Sequence, residues 1–427
     1  MALGPQQRAP LQQAIPTGAA ESQPLPTAQH VVARLAELSA VHEAFAWFRA
    51  HAREFEDIQL EVTAIPAPPW GEAERSQWLK TRFEGAGLSE VQQDELGNVF
   101  GVRPGTDRSA PYLALSAHLD TVFPPGTPIK VSREEGKLHG PGISDNASGI
   151  TALLAMANVL RHTSIATSAP ILFIGNVGEE GEGNLRGMRH IFDQPKWFDS
   201  IAALVALDGA GTDTIIAEGL GSRRYEVTVR GTGGHSWSDF GVPNPIVALA
   251  RIIDRFSRTT VPSTPKTTFN IGTVQGGTSV NSIPQVATMR VDTRSASVEQ
   301  LDRLERALRD AVKEGTAGTS GRKKDEALTS EVVVIGDRPA ADLPADSHLL
   351  KLIRAVDAQL NNSARIQRAS TDANIPLSLG RQAIAIGAGG SGGGAHTVNE
   401  WYDSAGRDLG LKRILLLALA LCGVSEE

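Results

Sequence analysis

The sequence predicts an α/β protein. A mixed-sheet α/β/α domain at residues 31–221 and 337–427 is interrupted by an inserted two-layer β-α-β-β-α-β unit at 222–336. Three observations carry this expectation. Short, nearly continuous apolar runs at Tyr112–Ala117, Ile171–Val177 and Ile201–Leu207 read as strands covered on both faces by helices. Between the first two, Ile150, Leu153, Leu154, Ala157 and Leu160 fall on one helical stripe within Gly149–His162. From residue 222 the pattern changes to strand, helix, two strands, helix and strand, the order of a self-contained two-layer sandwich.

Taken in order, residues 1–30 are rich in Gln, Pro and Ala without an apolar core, and read as a disordered leader rather than a signal peptide. Residues 31–58 have helical spacing, and the turn Ile65-Pro66-Ala67-Pro68-Pro69-Trp70 precedes a second helix from about Glu72. The inserted unit reads as strand Tyr225–Val229, helix Pro245–Phe256, strands Thr268–Val274 and Ala287–Thr293, helix Val298–Val312 and strand Glu331–Ile335. A helix at Leu349–Leu360, a strand at Ala383–Ile386 and a C-terminal helix complete the chain. The longest apolar run, Ile414–Val424, has 11 residues. That is short of the ~18–20 that cross a bilayer, so a core helix is expected.

With 427 residues, two domains are expected at roughly 100–200 residues each. Lys and Arg number 41 against 48 Asp and Glu, for a net charge of −7 and no basic run, which argues against nucleic-acid and anionic-membrane partners. The single cysteine, Cys422, excludes an internal disulfide and lies in an apolar stretch, so a buried structural thiol and a cytoplasmic address are expected.

Ionisable residues gather just past the carboxyl ends of the apolar strands: His118 and Asp120, Glu179 and Glu180, Asp208, and His396 after a glycine-rich loop. In open α/β sheets ligands bind at that edge, where strand ends and helix starts leave a crevice. Alone, an HxD pair or two adjacent glutamates is usually a surface feature. The convergence of these positions is what points to a site. Asp145, just before the Gly149–His162 helix, could be its N-cap or could bridge two cations through its two oxygens. Two divalent ions contribute +4, balanced by Asp145, Glu180 and Asp208 at −3 and a hydroxide at −1, and a neutral cluster tolerates burial. His118 and His396 complete a nitrogen and oxygen donor set suited to Zn²⁺ first, then Mn²⁺ or Co²⁺.

The segments SAHLDTVFP, GPGISDNASG, GNVGEEGEG, ALDGAG and GGAHTVNEW resemble, in order, the metal-site motifs of the M20 metallopeptidase family, with peptidase T-like and carboxypeptidase G-like members nearest. The resemblance implies a dinuclear hydrolase of peptide or related amide bonds with a metal-bridged water as nucleophile. It assigns His118 and Asp208 to one metal, Glu180 and His396 to the other, and Asp145 to both. It makes Glu179 the general base and has Asp120 orient His118. It also implies that 222–336 is a lid and dimerisation domain, with His235, Asn281 and Arg294 binding substrate, His235 often across a homodimer. A cis peptide is expected between Asp145 and Asn146.

The expected substrate is a short peptide cut as an exopeptidase would cut it. The alternatives are an N-acyl amino acid deacylase or desuccinylase, and a metal-binding member without catalysis. Asn146-Ala147-Ser148 and Trp237-Ser238-Asp239-Phe240 depart from the commoner family pattern, so no particular substrate is transferred. Gly389-Gly390-Ser391-Gly392-Gly393 matches the G-x-S-x-G nucleophile elbow, but no helical pattern follows it, and loop glycines beside His396 are the better reading.

Overall fold

The computed structural model describes residues 27–317 and 327–425. The leader expected at 1–30 lies outside the described residues up to position 26, but its end is corrected: a helix starts at Ala28, with the Thr27 hydroxyl accepting from His30 N. The helical spacing of 31–58 resolves into three helices, Ala28–Glu37, Ser39–Ala50 and Ala52–Thr63. The first break is Leu38, whose ψ of 133° is extended. The second, His51, is shared between two helix ends. After the proline-rich turn comes the helix Ala73–Gly85.

The main sheet runs Ser89–Gln93, Val99–Arg103, Ile171–Asn176, Tyr112–His118, Ile201–Leu207, Gln382–Ile386, Thr214–Gly219 and Ala341–Asp342, with Arg365–Ala369 also pairing Thr214–Gly219. Its centre is parallel: Tyr112–His118 lies between Ile171–Asn176 and Ile201–Leu207, and Gln382–Ile386 adds in the same direction. Ser89–Gln93, Val99–Arg103 and Ala341–Asp342 pair antiparallel, so the sheet is mixed. Helices cover it, and Leu115, Phe173 and Leu204 share one core with Leu153, Ile353 and Leu415. Burial on both faces is why the central strands read as unbroken apolar runs. The C-terminal apolar run lies in the helix Arg407–Cys422 as far as Cys422, with Gly423 and Val424 beyond its end. Among the described residues no helix is long and apolar enough to cross a membrane.

A second, antiparallel sheet has the order Thr267–Gly276, Val286–Ser295, Gly221–Arg230, Thr329–Arg338. The helices Pro245–Ser257 and Val298–Thr316 pack on one face, where Tyr225, Ile252, Phe256, Met289 and Leu308 form a separate core. A third, small sheet was not legible in the sequence: Ser391–Gly393, Trp401–Asp403, Lys137–His139 and Ser132–Glu134. It ties two loops of the site together.

Candidate metal centre and substrate cleft

The site lies where the central strands end. His118 closes Tyr112–His118, Glu179 and Glu180 follow Ile171–Asn176, and Asp208 follows Ile201–Leu207. Asp145 precedes the helix Ala147–His162. That helix is capped by Asn146, not Asp145: the Asn146 side chain accepts from Gly149 N and Gly209 N and donates to the Leu207 carbonyl. The capping reading of Asp145 therefore falls, and its carboxylate is free for the site. The Asp145–Asn146 peptide is cis. At Gly149 a Cβ would run into the Leu207 carbonyl, so only glycine lets the helix start this close to the strand end.

His118 Nε2 lies 3.1 Å from Asp145 Oδ1 and 3.8 Å from Asp208 Oδ1. His396 Nε2 lies 3.2 Å from both Asp145 Oδ2 and Glu180 Oε1. Donor atoms of His118, Asp145 and Asp208 fall within 4.8 Å of one another, as do those of Asp145, Glu180 and His396 and those of His118, Glu179 and Glu180. The first two triads share Asp145 and use one oxygen of it each. His396 takes a left-handed backbone conformation, φ +65°, unusual for a residue with a side chain and persisting only where the surroundings over-determine it.

Burial disfavours a charged His118, yet Asp120, Asp145 and Asp208 outweigh it and lift its pKa well above the usual value. Asp145 and Glu180 push His396 up to about 10 against a smaller opposing effect of burial. Burial would raise Asp145, but the two imidazoles hold it well below the carboxylate range. Both imidazoles thus hold their protons more tightly than a free histidine does. Nitrogen and oxygen donors crowded this closely fit divalent cations, whose charge would replace those protons.

Asp120 meets the His118 ring at Nδ1 and has a second contact besides. The hydrogen-bond partner of His118 Nδ1 is the Asp120 carbonyl at 3.1 Å, while the carboxylate stands 3.7 Å away. That carboxylate accepts from Glu179 N at 2.9 Å and Glu180 N at 2.7 Å, so it sets the corner from which both glutamates project.

Several residues escaped sequence reasoning. Arg338, at the end of the last strand of the second sheet, reaches Glu179 Oε1 at 3.0 Å and also donates to the Glu179 carbonyl and to Ser370 Oγ. Burial drives the Glu179 carboxyl well above the usual range, with Arg338 opposing and Glu180 adding. Buried Asp372 accepts from Asn176 at 2.7 Å, and desolvation pushes it to about 7. Glu400 lies within the segment GGAHTVNEW, where the motif resemblance assigns it no role.

A cavity of about 540 Å³ opens over the cluster, lined by Asp145, Glu179, Glu180, Asp208 and His396 and by Arg224, Arg294, Arg338 and Arg368. Arg224 and Arg294 share one carboxylate, Asp292, at 3.2 and 2.8 Å, which leaves a surplus positive charge there. His235 and Asn281, expected beside Arg294, do not line this cavity. Both are exposed: His235 ends the short strand Gly234–His235, Asn281 precedes its partner Ser282–Ile283, and Ser236 N donates to the Asn281 carbonyl. Ser391 is exposed in a short strand rather than at a strand-to-helix elbow.

Fold and site together define an α/β protein with a partly buried cluster of two histidines and four carboxylates at the carboxyl-end edge of its central strands, in a cavity that four arginines also line. A family model for Peptidase family M20/M25/M40 matches residues 114–420, and the chain belongs to that family. It is 28% identical over 259 residues to a probable carboxypeptidase of Ajellomyces dermatitidis (strain ER-3 / ATCC MYA-2586), which covers 55% of this chain and 56% of the relative. The chain thus spans about half the length of such curated relatives. Its fold matches the aminopeptidase PepT from Bacillus cereus ATCC 10987 with a TM-score of 0.69 at 20% identity, covering 87% of this chain and 98% of that one. It also matches the YXEP protein of Bacillus subtilis, described as a dinuclear metal binding peptidase, with a TM-score of 0.64 at 16% identity over 88% of this chain and 100% of that one.

Proposed function

We propose that the protein is a dinuclear metal-dependent hydrolase of peptide or related amide bonds, acting as an exopeptidase on short peptides. The observation that carries this is the pair of donor triads sharing Asp145, with Glu179 beside them and outside both. His118 and Asp208 would hold one cation, Glu180 and His396 the other, and Asp145 both, with Zn²⁺ the first choice for such donors. Bound there, the cations supply a Lewis acid for the scissile carbonyl and lower the pKa of a water.

The chain's own residues do the rest. Glu179 takes the proton of the attacking water and hands it to the leaving nitrogen, the role of a base close to its reacting atoms. A raised pKa suits that exchange, and Arg338 and the Asp120 grip on the backbone keep the carboxylate in one place. Arg294 receives a substrate carboxylate, because its planar fork matches one and its partner Asp292 is shared with Arg224. A cavity of about 540 Å³ suits a short substrate.

The unit at 222–336 serves as lid and dimerisation domain. Arg224 donates to the Gly181 carbonyl and Arg290 lies 3.3 Å from Glu182, so the unit grips the loop carrying Glu179 and Glu180. Its edge strand Thr267–Gly276 and neighbouring helix expose Val274, Ile246 and Val247, which supports pairing with a second copy. Exposed His235 and Asn281 then reach the partner's cleft. A cytoplasmic address belongs to the same reading.

The alternative substrate is an N-acyl amino acid, since the carboxylate fork would hold it equally well. A panel of dipeptides, tripeptides, N-acyl and N-succinyl amino acids, assayed after chelation and after addition of Zn²⁺, Mn²⁺ or Co²⁺, separates the readings. Full turnover in protein shown by elemental analysis to be metal-free would overturn the proposal.

A further inference from the structure

Glu400 is 1% exposed and follows His396 on the loop leading into the strand Trp401–Asp403. Its carboxylate enters the other loop of the site from behind. Oε2 accepts from Gly142 N at 2.9 Å, and Oε1 accepts from Ser144 N and Asp145 N, each at 2.8 Å. Its carbonyl accepts from Gly140 N at 3.1 Å. On either side of these bonds Trp401–Asp403 pairs with Lys137–His139 and with Ser391–Gly393. One side chain thus gathers the amides that lead to Asp145 and anchors them to the segment that carries His396.

We propose that Glu400 is a positioning residue: it fixes Asp145 so that each carboxylate oxygen is held toward its own donor triad. The chemistry requires a carboxylate. Three backbone donors converge on two oxygens, and an ionised carboxylate accepts at both and carries no donor of its own. A glutamine has one oxygen and would turn an NH₂ toward at least one amide N–H, moving the loop. Groups that hold ligands in place are commonly worth a ten- to hundredfold change in metal affinity. The inference rests on the reading of Asp145 as the shared ligand.

The test uses the full chain stripped of metal and titrated with Zn²⁺ against a competing chromophoric chelator, which reads stepwise affinities without reference to activity. Glu400→Gln should weaken both steps, roughly ten- to a hundredfold each. Asp145→Asn should also weaken both, while His396→Ala should weaken chiefly one. The double variant Glu400→Gln/Asp145→Asn should bind no worse than Asp145→Asn alone, because Glu400 acts through that carboxylate. A merely structural role would lower the melting temperature of the metal-free protein and leave the affinities intact.

Wild-type affinities in Glu400→Gln, or losses that add in the double variant, overturn the proposal. Should Glu400→Gln fail to fold, Glu400→Asp carries the same cycle, and a loss that persists on the Asp145→Asn background is then the overturning result. A wild-type chain that binds a single Zn²⁺ would instead end the dinuclear reading itself, so the two failures are distinguishable.

Discussion

Replacing Glu179 by Gln changes one oxygen for an NH₂ at the proposed base and leaves the shape of the site intact. A positioned base contributes about 10²–10⁴ in rate. At about 1.36 kcal/mol per decade this raises the barrier by roughly 2.7–5.4 kcal/mol. The cost to the fold is smaller. Arg338 loses the negative charge of its partner at 3.0 Å but can still donate to the amide oxygen, and it keeps the Glu179 carbonyl and Ser370 Oγ. The difference between a charged and a neutral hydrogen bond is about 1–2 kcal/mol, and relief of the repulsion between Glu179 and Glu180 offsets part of it.

The variant should therefore fold, melt within several degrees of the wild type and bind two cations, while kcat falls by two to four decades. The assay is kcat on the best substrate of the panel, with metal content and melting temperature measured on the same preparation. Wild-type kcat would refute the reasoning outright. Loss of one cation would refute it differently: His118, Glu179 and Glu180 also form a donor triad within 4.8 Å, and Glu179 and Glu180 would then exchange roles.

Arg294→Ala should raise KM strongly for substrates with a free carboxylate and weakly for their amides, and equal effects on both would remove the clamp. Loading metal-free protein with Zn²⁺ at neutral pH should release about one proton from each of His118 and His396, since both are charged below their raised pKa values and must be neutral to bind. Affinity should accordingly fall as pH falls, and calorimetry in buffers of different ionisation enthalpy that finds no proton release would contradict the raised pKa values of both histidines. Asp120→Asn removes one of two acceptors for the Glu179 and Glu180 amides, so it should cost roughly 1–3 kcal/mol in denaturant unfolding and weaken cation binding as well. Cys422 is buried and its thiol is pushed up to about 12 by desolvation, so a thiol reagent at pH 8 should label it only in unfolded protein.

The central strands were legible because a parallel sheet covered on both faces requires continuous apolar runs, and the chain must then turn at their carboxyl ends. Short marginal strands such as Ser89–Gln93, whose residues are mostly exposed, leave no such run and were missed. The ligand candidates His118, Asp145, Glu180, Asp208 and His396 could be listed from motifs that are each local in sequence.

The sequence by itself determined the α/β class, the inserted sandwich pattern and the chemical kind of the donors, because each is written within a few consecutive residues. Only the tertiary structure decided who partners whom. Arg338 meets Glu179 across 159 positions, and Glu400 reaches the Asp145 amide across 255. Neither distance leaves a periodicity or a motif to read. Asn146 caps its helix locally, through Gly149 N, but its further bonds to the Leu207 carbonyl and from Gly209 N span more than 60 positions. That Arg294 lines the cavity while His235 does not is likewise something no spacing along the chain encodes. Such contacts exist only once the sheet has brought its strand ends together, because their energies depend on distance in space and carry no signal along the chain.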